Sequence, residues 1–299
     1  MYKISIGLCV KNSEATIKAA IESVVNQDFP TKYVEIIIVD GNSRDRTMDI
    51  INKTLSRTKF DVRIFSDKGK GLGPARQIVV NNARGKYIIW VDSDVVLAKD
   101  FIRRQLKFME ENSQVGIARG KGEHIKSGKN VWADVQSVLF SMLDTVHVGA
   151  TIATICSTKA LREVNGFDTR IIGAAEDVDL KTRVVLKDWK MATNPEAKFY
   201  HIPRRTLKDL SVEQLWYGYG YHFISHKHKG FFNIIYRLPP VYVGWGLKLS
   251  RKAFHRFREK KAFLIPLLCF FTNINWWIGF IKSHIDGYGH PLGKFNKDQ

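Results

Sequence analysis

Between residues 3 and 111 the chain alternates short apolar, β-rich runs with amphipathic helical patterns, and no other feature limits its fold so strongly. Ile4–Val10 reads as a buried strand, and 34–39, 62–65 and 87–91 read as three more. Between them lie helical repeats. Residues 14–25 put Ile17, Ala20, Ile21, Val24 and Val25 on one face, and Thr47–Leu55 reads as helical with Met48, Ile50, Ile51 and Leu55 as its apolar set. Pro74 suits the first turn of a helix over 74–83, and 100–111 forms another. Strand–helix alternation predicts an α/β layer with a mostly parallel sheet flanked by helices. Such sheets bind ligands beyond the carboxyl ends of their strands. Residues 116–200 are less regular, with a helix expected over 176–186 and a short strand over 198–200.

The chain has 299 residues, 44% of them hydrophobic and 25% charged, enough for a substantial core without staples. Its net charge of +18 favours polyanions, anionic lipid or phosphate-bearing substrates. Residues 201–299 alone carry +11 and four of the seven Trp. Cys9, Cys156 and Cys269 each sit in an apolar run without metal or redox spacing, and read as small buried hydrophobes in a reducing compartment. The N-terminal MYKISIGLCVKN turns polar too soon for a signal peptide, which puts the protein in the cytoplasm or on the cytoplasmic face of a membrane.

Three segments could carry chemistry. Asp92-Ser93-Asp94 follows the charge-free Tyr87-Ile88-Ile89-Trp90-Val91. Two carboxylates two residues apart at a strand mouth can face one hard divalent ion, although acidic strand ends also occur as solvated turns. Asp40-Gly41-Asn42-Ser43 follows another buried strand; its carboxylate could accept hydrogen bonds from a nucleobase or ribose, or Ser43 could simply cap the next helix. Gly69-Lys70-Gly71-Leu72-Gly73-Pro74-Ala75-Arg76 is a basic glycine-rich loop entering a helix, where Lys70 and Arg76 are plausible diphosphate neighbours. Glu176-Asp177-Val178-Asp179 crowds three acids into a helix start. The helix dipole accounts for one or two of them, and a general base is the alternative.

Taken in order, these segments resemble a family-2 glycosyltransferase of the GT-A fold over about residues 3–220. Residues 4–12 with Glu14 resemble the family's first strand and Asn-containing turn. Asp40-Gly41-Asn42-Ser43 resembles its donor-base motif, Gly73 to Arg76 its helix start, and Asp92-Ser93-Asp94 its metal motif. Val164-Asn165-Gly166-Phe167-Asp168 resembles the segment before the acceptor site, and Glu176-Asp177 with Leu180 and Arg183 the catalytic acid–acid helix. The resemblance implies a nucleotide-diphosphate donor contacted by Val10, Asn12, Glu14, Asp40, Lys70, Arg76, Asp92 and Ser93. It also implies Mn2+ or Mg2+ held by Asp94 with Asp92, with His201 as a further metal or phosphate contact. Asp177 would be the base of an inverting single displacement, with Glu176 and Trp216 toward the acceptor.

The sequence departs from the family at Cys9-Val10, where many relatives have Pro-Thr, which leaves donor contacts there to the backbone. Gly41 stands where many have a second Asp. The Gln-x-x-Arg-Trp motif of processive synthases is absent, and Gln214-Leu215-Trp216-Tyr217-Gly218-Tyr219-Gly220 follows instead. That resembles relatives adding one sugar to a lipid-linked or polymer acceptor. Two other readings compete. A nucleic-acid-binding protein fits the charge but leaves the acidic motifs unexplained, so no nucleic-acid partner is expected. A sugar-nucleotide-forming nucleotidyltransferase needs a glycine-rich loop after the first strand, where this chain has Val10-Lys11-Asn12-Ser13-Glu14. An inactive family member is a further alternative.

The expected division is a catalytic domain over 1–215 and a helical, basic, aromatic extension over 216–299. Within the extension, 262–281 is apolar and about long enough to span a bilayer, but Pro266, Thr272, Asn273 and Asn275 interrupt it. The bases at 251–261 precede it, and Trp276 and Trp277 suit interfacial depth. A peripheral or monotopic anchor on an anionic membrane surface is expected, against a buried helix or a true span. His222, His226 and His228 suggest a metal site, but no acidic partner completes a motif.

Overall fold

The computed structural model describes residues 1–56, 58–123, 130–142, 151–171, 173–203, 206–230 and 234–287. Arg204 and Arg205, which follow His201 in the basic stretch, lie outside the described residues. The chain divides into two compact units. One comprises Met1–Glu123, Leu143–Ile172 and Glu176–Ile202; the other comprises His124–Met142, Gly173–Ala175 and Pro203–Gln299.

The first unit is built on β1 (Ile4–Val10), α1 (Ile17–Val25), β2 (Val34–Asp40), α2 (Thr47–Leu55), β3 (Asp61–Ser66), α3 (Leu72–Asn82), β4 (Tyr87–Trp90), β5 (Val95–Leu97) and α4 (Phe101–Glu111). It continues with β6 (Val115–Glu123), and, past α5 (Val131–Ser141) of the second unit, with β7 (Thr154–Ser157), α6 (Thr158–Glu163), α7 (Glu176–Val185) and β8 (Lys190–His201). The eight strands form one sheet in the order β3-β2-β1-β4-β7-β6-β8-β5. The half from β3 to β4 is parallel, as the alternation predicts. Beyond β4 the sheet is mixed: β7 runs antiparallel to both neighbours, β6 and β8 pair parallel, and β5 is antiparallel to β8. Residues 116–200, which carry little local pattern, therefore supply three of the eight strands.

β1 and β2 are buried along almost their whole lengths because helices cover both faces, the usual state of central parallel strands. α1 buries Ile17, Ala20, Ile21 and Val24, each large aliphatic contributing about 1.5–3 kcal/mol. It begins at Ile17 rather than residue 14, because the Ser13 carbonyl takes the amides of Thr16 and Ile17 while Glu14 turns to the neighbouring loop. Trp90 of β4 meets Phe167 edge-on at 5.4 Å in the centre of the core. Cys156 is buried in that core, and Cys269 lies in the core of the second unit; burial pushes both thiols up to about 12. Cys9 is half-buried.

The second unit packs α5 with α8 (Leu207–Lys227), α9 (Pro239–Phe257) and α10 (Ile265–Ile285). α8 and α10 approach closely: a side-chain carbon at Gly279 would lie 2.0 Å from the Leu215 carbonyl, so only glycine fits there. Trp276, expected at an interface, is instead 2% exposed, stacked on Phe280 and covered by the Arg237 guanidinium at 4.9 Å. His222 is also buried, 3.2 Å from Ser283 Oγ and flanked by His226 and His284. Among the described residues no group of three or more His, Cys, Asp or Glu is arranged to hold a metal, so this cluster gives the metal reading no support.

Burial, then His226 and His284, push His222 down to about 4 from an ordinary 6.5. The unfolded chain therefore binds the extra proton between those values, and stability falls as pH drops from 6.5 to 4. Melting temperatures across that window should fall with pH, and H222Q should flatten the slope. An unchanged slope in H222Q would assign the acid sensitivity elsewhere.

Candidate active site

The parallel half of the sheet brings the carboxyl ends of β1, β2, β3 and β4 to one edge. At β1 the Val10 side chain points into the core, and its carbonyl accepts from Gly41 N at 2.8 Å, which joins the first two loops. Asn12 and Glu14 also stitch them. Asn12 N donates to Ser43 Oγ at 3.0 Å, Asn12 Oδ1 accepts from Arg44 N at 2.9 Å, and Glu14 Oε2 accepts from Arg46 N at 3.2 Å. Asp40, half-buried at the end of β2, accepts from Ser43 N at 3.1 Å and so shapes its own turn. All three polar side chains carry loop-building hydrogen bonds in addition to any donor role.

The glycine-rich loop depends on a residue the sequence did not single out. Asp67, 4% exposed, accepts from Gly69 N at 2.7 Å and Gly71 N at 2.9 Å, while its own amide donates to the Asp40 carbonyl at 3.2 Å. An Asp placed just before a glycine-rich turn is a known turn-forming signal and could have revealed it. Lys70 stands exposed on this loop. Gly73 owes its small size to packing rather than to a phosphate: a side-chain carbon there would lie 2.1 Å from the Ile171 carbonyl.

Arg76 differs most from the sequence expectation. As a diphosphate neighbour it would face solvent, yet it is 5% exposed. Its guanidinium pairs with Glu176 through Nη1 and donates to Asp92 Oδ1 through Nη2 at 3.1 Å. Burial works against its charge, but Glu176 and Asp92 more than offset this and raise its pKa. The cation therefore stays charged between the two carboxyl groups and ties the 92–94 turn to the start of α7.

The acids around it repel one another. Burial pushes Asp92 up to about 6 against the pull of Arg76, with Asp94 and Asp177 adding to the rise. Burial likewise pushes Glu176, 1% exposed, up to about 8, with Asp177 and Asp92 contributing. Asp92, Asp94, Asp177 and Glu176 thus share one electrostatic neighbourhood, though residues 94 and 176 lie far apart in sequence. Asp177 is half-buried and accepts from Thr151 Oγ1 at 3.3 Å. Asp179, the third acid of the helix start, is fully buried in a pair with Arg183 at 2.7 Å and 2.9 Å, a structural role.

Asp92 O accepts from Val95 N at 3.0 Å, closing the turn on which Ser93 sits half-buried and from which β5 starts. The antiparallel pairing of β5 with β8 sets Val95 opposite His201. It brings His201 Nε2 within 3.6 Å of Asp94 Oδ2, and Asp94 O accepts from Ile202 N at 2.8 Å. Trp216 lies on α8 in the second unit, half-buried and stacked on Tyr217 at 5.8 Å.

Residues 5–169 match the model of glycosyl transferase family 2, more than half of the chain. The chain belongs to that family. The matched residues take in the 40–43 and 92–94 turns and Arg76, and end before Glu176, Asp177 and His201. A Methanococcus voltae transferase whose name specifies a dolichyl N-acetyl-α-D-glucosaminyl phosphate acceptor is 24% identical to this family-2 enzyme, over 80% of this chain and 78% of its own length. The poly(ribitol-phosphate) β-glucosyltransferase of Bacillus spizizenii is 29% identical over 70% of this chain, which spans only 34% of that relative. Among solved structures, the Pyrobaculum calidifontis mannosyltransferase PcManGT, in complex with GDP-Man and Mn2+, superposes with a TM-score of 0.66 at 14% identity, covering 96% of this chain and 88% of its own. Staphylococcus aureus TarS 1-349 with UDP-GlcNAc superposes with a TM-score of 0.54 at 15% identity, covering 96% and 93%. At these identities the likeness establishes the GT-A fold and nothing finer.

Proposed function

We propose that this glycosyltransferase moves one sugar from a nucleotide-diphosphate donor to a hydroxyl of a lipid-linked or polymer glycan, with inversion and with a divalent ion. The observation that carries the reading is the Arg76 bridge, in which one buried cation ties Asp92 of the 92–94 turn to Glu176, the neighbour of Asp177. The named substrates of the Methanococcus, Bacillus and Pyrobaculum proteins agree with it.

Asp94 with Asp92, and His201 beside Asp94, make a carboxylate-rich set that suits Mn2+ or Mg2+. Among the described residues no group of three or more His, Cys, Asp or Glu is arranged to hold a metal, so an ion here would depend on donor phosphates and water for the rest of its shell. When bound, such an ion neutralises charge developing on the departing diphosphate. The protein does the rest. The edge from Val10 to Asp40 receives the nucleoside, with Asp40 toward the base or ribose. Lys70 on its exposed loop and Ser93 on its turn approach the diphosphate. Asp177 takes the proton of the attacking hydroxyl, with Thr151 holding its carboxylate in place. Arg76 and Glu176 position Asp92 and the start of α7, with Glu176 toward the acceptor side. Trp216 offers an aromatic face to the acceptor glycan, and the extension over 216–299 associates with an anionic membrane surface on its cytoplasmic side.

A panel of UDP- and GDP-sugars, each with Mn2+ and with chelator, tests this reading by thermal shift and by donor hydrolysis. At least one donor should stabilise the protein only when metal is present, and D94A should lose that metal dependence. D94A with an unchanged metal titration would remove Asp94 from the site, and no donor binding from the whole panel would remove the donor class.

A further inference from the structure

We propose that α10 lies flat in the surface of an anionic membrane and does not cross it, inserting one apolar face and anchoring a basic cluster beside it. The proposal rests on the membrane association stated above and specifies its geometry.

Among the described residues one helical stretch, Lys260–Ile285, is long and apolar enough to span. Its solvent side, however, carries the reverse of the polarity expected of a helix in water. The face turned into the second unit is mixed, with Thr272, Asn273, Gly279 and Ser283 among Ile265, Leu268, Cys269 and Trp276. The face turned to solvent holds Leu267, Phe270, Ile274, Ile278, Ile281 and Ile285, from 38% to 76% exposed. At 3.6 residues per turn these six fall within an arc of about 80°. A spanning helix meets lipid over most of its circumference, whereas this one spends its polar groups on α8 and on the 234–237 turn. Ser211 bonds Asn275, and both Asn273 Nδ2 and Trp277 Nε1 donate to the Arg237 carbonyl. That turn lies along one edge of the stripe and adds the exposed Ile235 and Tyr236.

Charge identifies the occupant. No Asp or Glu occurs between Lys260 and Ile285. Residues 248–261 carry seven Lys or Arg against the single Glu259. Lys248, Arg251, Lys252 and Arg256 are exposed on α9. Phe263, 60% exposed, packs on Phe254 of α9 at 4.8 Å and so joins this cluster to one end of the stripe. A second protein copy would bring the same cations against each other. Anionic headgroups accept the cations while acyl chains take the apolar stripe, as for amphipathic helices that lie in the interface.

The test uses the full chain with vesicles of phosphatidylglycerol and phosphatidylcholine. Wild type should sediment with anionic vesicles and far less with pure phosphatidylcholine. F270D/I278D, both at exposed positions, should bind roughly tenfold more weakly or worse. Single fluorescent labels placed through L267C, I274C and I281C in a C9S background should be quenched by brominated lipid at one shallow depth. If α10 spanned, residues 267 and 281 would differ in depth by about 20 Å. Wild type that ignores anionic vesicles overturns this inference and the membrane reading together. Binding with graded label depth overturns only the in-plane helix. Labels shielded without lipid, in step with a concentration-dependent dimer, give the stripe to a second copy and overturn the inference.

Discussion

Replacing Asp177 by Asn should cut sugar transfer by roughly 10²–10⁴-fold while leaving metal-dependent nucleotide binding close to wild type. The substitution keeps the shape and removes only the ability to take a proton. Asp177 raises the pKa of both Glu176 and Asp92 by like-charge repulsion. D177N should therefore fold at least as stably as wild type, which separates a chemical defect from a structural one. Rate at saturating donor, nucleotide affinity by calorimetry and a denaturation midpoint together make the measurement. A wild-type rate would refute the base assignment. Equal losses of rate, affinity and stability would make Asp177 a structural residue.

The second large effect belongs to Arg76. R76M removes the cation from a buried network and leaves the Glu176 and Asp92 carboxyl groups without the donor they share. Breaking such a pair costs about 3–5 kcal/mol. R76K should restore little, because an ammonium cannot span both carboxylates as the planar guanidinium does. E176Q in the R76M background should recover a sizeable part of the loss, since it removes the carboxylate that is most buried. Urea midpoints of R76M, E176Q and the double variant measure the coupling. If the two losses simply add, Arg76 and Glu176 do not act as a unit, and the bridge between the two acidic turns loses its meaning.

Much of the first half of this fold is legible in the sequence because its signals are local. β1, β2 and β4 are largely apolar runs, and α1 and α2 repeat at helical spacing. β6 and β8 are not legible in the same way. β6 includes Arg119, Gly120, Lys121, Gly122 and Glu123, and β8 places Lys190, Glu196 and Lys198 at exposed positions. Their strand character comes from pairing with each other and with β7 and β5, partners that only the folded chain supplies. That is why a strand expected over 198–200 runs the length of Lys190–His201.

The same contrast holds at the site. Asp92, Asp94 and Asp177 stand out because carboxylates beside buried strands and helix starts are conspicuous. Arg76 reads locally as a basic residue after a glycine loop, and nothing nearby in sequence reveals that its partner is Glu176, a hundred positions on. Asp67 hides for a different reason: its work is done through backbone amides. Trp276 suggests an interface by residue type, but the close approach of α8 and α10 at Gly279 leaves it inside.

The most direct measurement is the position of Mn2+ in crystals soaked with a nucleoside diphosphate and the metal, read from anomalous scattering. A peak should appear against the Asp94 carboxylate and the diphosphate, with Asp177 across the same cleft and a sugar-sized space between. A peak at other residues, or a diphosphate bound where Asp177 cannot reach the position of a transferred sugar, would contradict the account.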